Sequence, residues 1–161
     1  MRSLMLVATL LAAGCGGSMF SDRIANYRSA ISSLNVVVDA HANSAPAAAP
    51  STCAAAMADY ARQAGALIDR MQSMSGGMDQ CMGSLGRPGD AEFGAGCASM
   101  RSELDEHAKD GCSKADLAAE MARHASAMKG QTSREMDRTG EMEGMGNGMG
   151  SSMMSGKQGC H

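Results

Sequence analysis

The stretch that decides the fold is residues 97–128, CASMRSELDEHAKDGCSKADLAAEMARHASAM. Inward positions recur at alternating spacings of four and three on both sides of the Gly-Cys-Ser sequence at 111–113. This spacing predicts two amphipathic helices that pack against each other and are joined by a tight turn. The predicted inward residues are Phe93, Cys97, Met100, Leu104 and His107 before the turn, and Leu117, Met121, His124 and Met128 after it. Each helix therefore carries one inward histidine.

Two further helices are predicted on the N-terminal side. Apolar residues keep the same spacing from Phe20 to His41, and again from Cys53 to Cys81. The proline-bounded sequence APAAAP separates these two helices, and the sequence GSLGRPG follows the second. We therefore predict an all-α fold, an antiparallel up-down-up-down four-helix bundle over residues 21–138. The predicted helices span approximately 21–44, 52–82, 90–109 and 114–137, with a linker at 45–50, a loop at 83–89 and a disordered Met- and Gly-rich tail at 139–161.

The composition bounds the function. The 161 residues carry a net charge of -3, which argues against nucleic-acid binding. Aromatic residues make up only 2% of the chain, whereas there are 17 methionines, so the predicted core is unusually polarizable. The sequence contains no phosphate-binding loop, no Gly-x-Ser-x-Gly elbow, no His-Glu-x-x-His and no Cys-x-x-Cys-His. We therefore expect a protein that is not an enzyme.

The N-terminus has the pattern of a secretory signal. Residues 1–14 contain the basic Arg2 and a short apolar run, and they precede Cys15. The sequence LAAGC at 11–15 resembles the lipobox of bacterial lipoprotein precursors. This resemblance implies cleavage before Cys15, a thioether-linked diacylglycerol and an acylated N-terminus, with residues 15–20 as a tether. It also implies anchoring in the cell envelope, in the outer membrane facing the periplasm, since Gly16 replaces the aspartate that favours inner-membrane retention in that family.

The cysteines inside the predicted bundle support its layout. Cys53 and Cys81 are about 42 Å apart if they lie on one helix, much farther than the roughly 7 Å between Cα atoms that a disulfide spans. Cys53 and Cys97 fall at opposite ends of the bundle. The sequence therefore predicts the pairs Cys53 with Cys112 and Cys81 with Cys97, one at each end, in an oxidising compartment.

The three predicted inward histidines, His41, His107 and His124, fall in the same half of the bundle. Residues that can join them are Met57, Met100, Met121, Tyr60, Glu103 and Glu120. Imidazole with thioether favours copper, whereas imidazole with carboxylate suits zinc or iron. A single three-histidine site requires the last helix to be shifted along the bundle; otherwise His124 belongs to a deeper site with Met100 and Tyr60. The alternative is that the histidines are core residues hydrogen-bonded to glutamate or tyrosine.

The C-terminal tail gives an independent indication of copper. Its methionines, followed by Cys160 and His161, resemble in composition the methionine-rich segments of bacterial copper-handling envelope proteins. We expect a membrane-anchored, non-catalytic lipoprotein that binds a soft transition metal, most simply copper, for sequestration, sensing or transfer. The alternatives are a structural or interaction lipoprotein without metal and a bundle that binds non-covalent haem.

Overall fold

The computed structural model describes residues 18–44, 50–84 and 92–154, which contain four α-helices and no strand. The helices are Ser18–Ser44 (α1), Pro50–Ser84 (α2), Glu92–Asp110 (α3) and Leu117–Met154 (α4), with a 3₁₀ turn at Gly111–Ser113. The all-α, four-helix prediction is therefore confirmed. The predicted signal peptide, Cys15, most of the linker at 45–50 and of the loop at 83–89, and residues 155–161 with Cys160 lie outside the described residues.

The helices contact one another in the order α1, α2, α3, α4, and α4 closes against α1. Asp39 late in α1 forms an ion pair with Lys129 early in α4, whereas Arg28 early in α1 donates a hydrogen bond of 2.7 Å to Thr139 late in α4. The α2 helix meets α3 and the turn after it in the same reversed order: Cys53 early in α2 is bonded to Cys112 of the 3₁₀ turn, and Asp79 late in α2 contacts Phe93 at the start of α3. The inward side chains of all four helices form one core, which contains Ile24, Tyr27, Ile31, Leu34, Ile68, Met71, Phe93, Met100, Leu104 and Met128.

Acidic side chains fix the starts of the last two helices. The Asp79 carboxylate of α2 accepts hydrogen bonds from the backbone N–H groups of Phe93 and Gly94, at 3.1 and 3.2 Å. These groups have no partner within α3, and a carboxylate at this end is favoured by the helix dipole. In α4, Asp116 accepts a bond of 2.9 Å from the backbone N–H of Ala119. The start predicted after Ser113 is therefore corrected: α4 begins at Leu117, with Asp116 as its N-cap.

The α4 helix is longer than predicted. We expected it to end at residue 137 and to be followed by a disordered tail, but it continues to Met154. The reason is that its buried stripe continues past that point. Thr139 and Met142 are 0% and 1% exposed, and Arg28 of α1 also pairs with Glu143 at 2.6 Å. Packing against α1 thus keeps a Gly-rich sequence helical where its composition alone favours disorder.

One of the two predicted disulfides is present. Cys53 and Cys112 are bonded, with Cα atoms 6.0 Å apart, so α2 is linked to the 3₁₀ turn. The other prediction is corrected, because Cys97 is a free, buried thiol; the side chain of Cys81 lies outside the described residues. The Cys97 sulfur faces the core, where it lies 3.4 Å from the Tyr27 hydroxyl.

A buried polar cluster surrounds that thiol. Tyr27 donates a hydrogen bond of 2.9 Å to the carboxylate of Glu135, which is 1% exposed and also contacts Arg138. Since Tyr27 has a single hydroxyl proton, the Cys97 thiol is the donor in its contact with that oxygen. Burial raises the pKa of Cys97 to about 11, so the thiol is protonated at neutral pH. Cys97 is therefore a structural side chain of the core.

Candidate metal centre

The three predicted histidines come together near the Cys53–Cys112 disulfide. His41 is 6% exposed, and His107 and His124 are each 1% exposed. The ring of His107 stacks on that of His124, with centroids 3.8 Å apart. The deeper site left open for His124 is therefore not formed. The shift of α4 that the single site requires comes from residues 114–116, which connect the turn to the helix without adding a helical turn.

The Tyr60 side chain completes a cluster of four rings with these histidines. Its ring stacks on His41, with centroids 3.8 Å apart and an angle of 4° between the planes. This pair stands nearly perpendicular to the pair formed by His107 and His124. The interplanar angle is 83° between His41 and His107 and 88° between Tyr60 and His124. We refer to His41, Tyr60, His107 and His124 as the four-ring cluster.

The Nε2 atoms of the cluster point toward one another. The Nε2 atoms of His41 and His107 are 3.3 Å apart, and Nε2 of His124 lies 2.7 Å from the Tyr60 hydroxyl oxygen. Tyr60 donates to His124, and the two other imidazoles share one proton between their nitrogens. The inner side of the cluster therefore consists of imidazole nitrogens and one phenol oxygen.

Two carboxylates hold the outer nitrogens, and each reaches across to the neighbouring helix. Glu120 of α4 lies 3.1 Å from Nδ1 of His107 on α3, and Glu103 of α3 lies 3.0 Å from Nδ1 of His124 on α4. Because a carboxylate only accepts, both imidazoles carry their proton on Nδ1 and direct an Nε2 lone pair inward. It follows that His41 is the donor in its contact with His107.

Arg123 links the two carboxylates. Its guanidinium donates to Glu120 at 2.8 and 3.0 Å and pairs with Glu103 at 3.1 Å. Hydrogen bonding from Arg123 lowers the pKa of Glu120 to about 2, so this carboxylate is charged throughout the physiological range. A fixed carboxylate behind an imidazole orients the ring and makes it a better metal ligand.

Burial keeps the imidazoles neutral. It lowers the pKa of His41 and of His124 to about 4, and it also lowers the pKa of His107. Burial raises the pKa of the Tyr60 phenol, which is therefore protonated at neutral pH. Neutral imidazole is the form that binds metal, so the cluster does not have to lose a proton from a charged histidine first.

The predicted methionine ligands occupy different positions. Met57 is adjacent to the cluster: a Cβ atom added at Gly111 would lie 2.7 Å from the Met57 methyl carbon and 3.1 Å from Cε1 of His107. Met100 packs in the hydrophobic core, and Met121 is buried on α4 three residues before His124. Gly111 thus leaves little room for a side chain next to His107, and Met57 is the methionine whose thioether lies near this imidazole.

In the part of the chain that the structure describes, no group of three or more histidine, cysteine, aspartate or glutamate side chains is arranged to hold a metal ion. Hydrogen bonds explain this, since the Nε2 atoms of all three histidines are engaged with one another or with Tyr60. The four-ring cluster is therefore a closed arrangement that has to open slightly for an ion to enter.

Sequence reasoning found the three histidines, Tyr60 and both glutamates, but it did not predict that each glutamate contacts the histidine of the neighbouring helix. It missed Arg123, which stands three residues after Glu120, a spacing that places the two side chains side by side on a helix. It also missed Gly111, whose small size can be understood only from the approach of Met57 and His107.

Comparisons with known proteins give no indication of function, so the function is argued from the geometry of the four-ring cluster. No protein family, curated protein or solved structure matches this chain. Within the described residues, none of the helices combines the length and the apolar character needed to cross a membrane.

Proposed function

We propose that this chain is a membrane-anchored, non-catalytic lipoprotein of the bacterial cell envelope whose helical bundle binds copper at the four-ring cluster. The observation that carries the proposal is the pair of carboxylate contacts, 3.1 Å to His107 and 3.0 Å to His124. They fix both Nδ1 protons and leave the Nε2 lone pairs directed inward. This is the arrangement that supports histidine ligands in metal sites.

The proposed ligands are Nε2 of His41, His107 and His124, with Met57 or the Tyr60 oxygen nearby. Copper is favoured because nitrogen ligands bind it more tightly than the other divalent metals of the first transition row. The thioether of Met57 suits the reduced ion, and the phenol oxygen suits the oxidised one. Met100 and Met121, also predicted as ligands, are not included in this set: Met100 packs in the hydrophobic core, and Met121 is buried on α4.

Binding has a defined cost in hydrogen bonds. The Nε2 contact between His41 and His107 and the Tyr60 contact with His124 must both separate before three nitrogens can face one ion. The proton of His41 then moves from Nε2 to Nδ1, and the imidazole ring of His41 is neutral both before and after this change. His107 and His124 need no such change, because Glu120 and Glu103 already hold their protons on the outer side.

The location follows from the sequence. Cys15 and the lipobox-like residues before it support a lipid anchor in the outer membrane facing the periplasm. The tether predicted at residues 15–20 is shortened to 15–17, because α1 begins at Ser18. The Cys53–Cys112 disulfide is in keeping with an oxidising compartment. The reversed contacts between neighbouring helices support the antiparallel up-down-up-down topology. The proposed role of the protein is sequestration, sensing or transfer of copper.

The test is a copper titration of the mature chain in competition with a chelator, with Zn²⁺ in parallel. His107→Ala and His41→Ala should each weaken copper binding by about tenfold or more, and copper should raise the melting temperature of the parent much more than that of either variant. His161→Ala is the matched control, since it removes the remaining histidine outside the cluster. Met145, Met149, Met153 and Met154 are changed together to Leu, and Cys160 to Ser, in all proteins, so that these tail ligands cannot imitate the site.

A second candidate is a structural or interaction lipoprotein without metal. The observation that favours it is that both ring nitrogens of His107 and of His124 already have partners within the protein. In that case the histidine variants lose stability equally with and without copper, and copper shifts no melting temperature. A haem-binding bundle is less well supported, because the His107 and His124 rings are 3.8 Å apart and leave no space between them for a porphyrin.

A further inference from the structure

A cavity of about 420 Å³ opens between α1 and α2 and reaches the four-ring cluster. Two of its lining side chains are His41 and Tyr60, the stacked pair of the cluster. The other lining residues are mostly small or apolar, and they are Val36, Val37, Ala40, Ser44, Ala56, Asp59 and Gln63. The inner wall of the cavity is therefore made by ligands of the proposed copper site.

Two other sides of the cluster are covered. On the α3 and α4 side, Glu103, Glu120 and Arg123 cover the outer nitrogens of His107 and His124. Near the disulfide, Gly111 lies close to both His107 and Met57. A path from solvent through the cavity avoids these groups and passes by His41 and Tyr60.

The rim of the cavity carries one apolar side chain and one acidic side chain. Val36 is 68% exposed, and no other large hydrophobic residue among those described is exposed. Asp59 is the charged residue of the lining, and its carboxylate forms an exposed ion pair with Arg62 at 2.7 Å. Because Arg62 balances this charge, the cavity itself and not the charge at its rim defines the route.

We infer that copper ions reach the four-ring cluster through this cavity between α1 and α2, with the His41 and Tyr60 pair as the inner wall that parts to admit them. This inference rests on the proposed function, which supplies the ion. It adds a direction of entry, and it separates the residues that control the rate of loading from those that control affinity.

The experiment narrows the cavity without touching a ligand. Ala40→Phe and Ala56→Leu place larger side chains in the lining, and Ala98→Phe, at an exposed position of α3 outside it, is the control. Stopped-flow uptake of Cu²⁺ and its removal by a chelator should both slow by about tenfold in the two cavity variants, with the affinity unchanged, because the added atoms act on the path alone. The control should load at the parental rate.

One further measurement makes the outcome decisive. Modification of His41 by diethyl pyrocarbonate, which needs no metal, should slow in Ala40→Phe. If the parent binds copper and the cavity variants load at its rate, the route is overturned and the proposed function stands. A parent that binds no copper overturns both.

Discussion

The carboxylate of Glu120 lies 3.1 Å from Nδ1 of His107, on a different helix, although it stands four residues before His124 on its own helix. Glu103 makes the reciprocal contact, since it stands four residues before His107 and reaches His124 at 3.0 Å. The two exchanged contacts tie α3 to α4 at the level of the cluster. They also mean that each glutamate orients the imidazole of the neighbouring helix.

The first prediction concerns this exchange. Glu120→Gln keeps an oxygen that can accept from Nδ1 of His107 but removes the charge that also holds Arg123. We expect copper affinity to fall by about 10- to 100-fold, as outer partners of metal-bound histidines usually contribute that much. The measurement is a chelator competition at neutral pH. Glu106→Gln, an exposed position on α3, is the control, and equal affinities of the two variants would contradict the orienting role.

The second prediction is that the bundle loses stability as the pH falls from 6.5 to 4. Burial lowers the pKa of His41 and of His124 from 6.5 to about 4, so the unfolded chain binds more protons than the folded one between these values. Stability is therefore complete above pH 6.5 and decreases below it, by up to about 1.4 kcal/mol per pH unit for each histidine.

Urea unfolding of the metal-free protein at several pH values measures this slope. His41→Gln should show a shallower dependence between pH 6.5 and 4 than the parent, while His161→Gln should not. A parent whose stability is the same at pH 4.5 and at pH 7 would show that the histidines are not buried in neutral form.

The third prediction tests the length of α4. A chain truncated after Arg138 loses Thr139 and Met142, which are 0% and 1% exposed, and should lose about 2 to 5 kcal/mol of stability, as expected for removal of a buried methionine. A chain truncated after Met154 keeps both residues and serves as the control. Equal urea midpoints for the two truncated chains would mean that residues 139–154 add nothing to the fold.

The fourth prediction concerns the cysteines. Cys53→Ser combined with Cys112→Ser opens the cross-link over 59 residues and should cost about 2 to 4 kcal/mol. Reductant should lower the melting temperature of the parent but not that of the double variant. Cys97 should resist iodoacetamide in the folded protein, because burial raises the pKa of its thiol to about 11. A peptide map dominated by a Cys81 with Cys97 linkage would contradict the structure.

The buried stripe of α3 shows how far periodicity carries the fold. Phe93, Cys97, Met100, Leu104 and His107 were predicted inward from their spacing, and all five are buried. Periodicity is reliable here because one face of an amphipathic helix has to leave water whatever it packs against. The ends of α4 were not predicted, since the helix is capped by Asp116 and starts at Leu117 rather than at residue 114, and Thr139 and Met142 pack its later part against α1.

What the sequence by itself determined is which side chains are inward: four amphipathic helices, three histidines in one half of the bundle, and the pairing of Cys53 with Cys112. What only the tertiary structure decided is which partners those side chains have. Cys97 meets Tyr27 instead of Cys81, Glu120 meets His107, and His41 stacks on Tyr60 beside an open cavity. The physical reason is that the face of a helix follows from a local repeat, whereas a contact between helices depends on their relative shift and rotation. Those are set by the whole core and by the residues at 114–116 that displace α4.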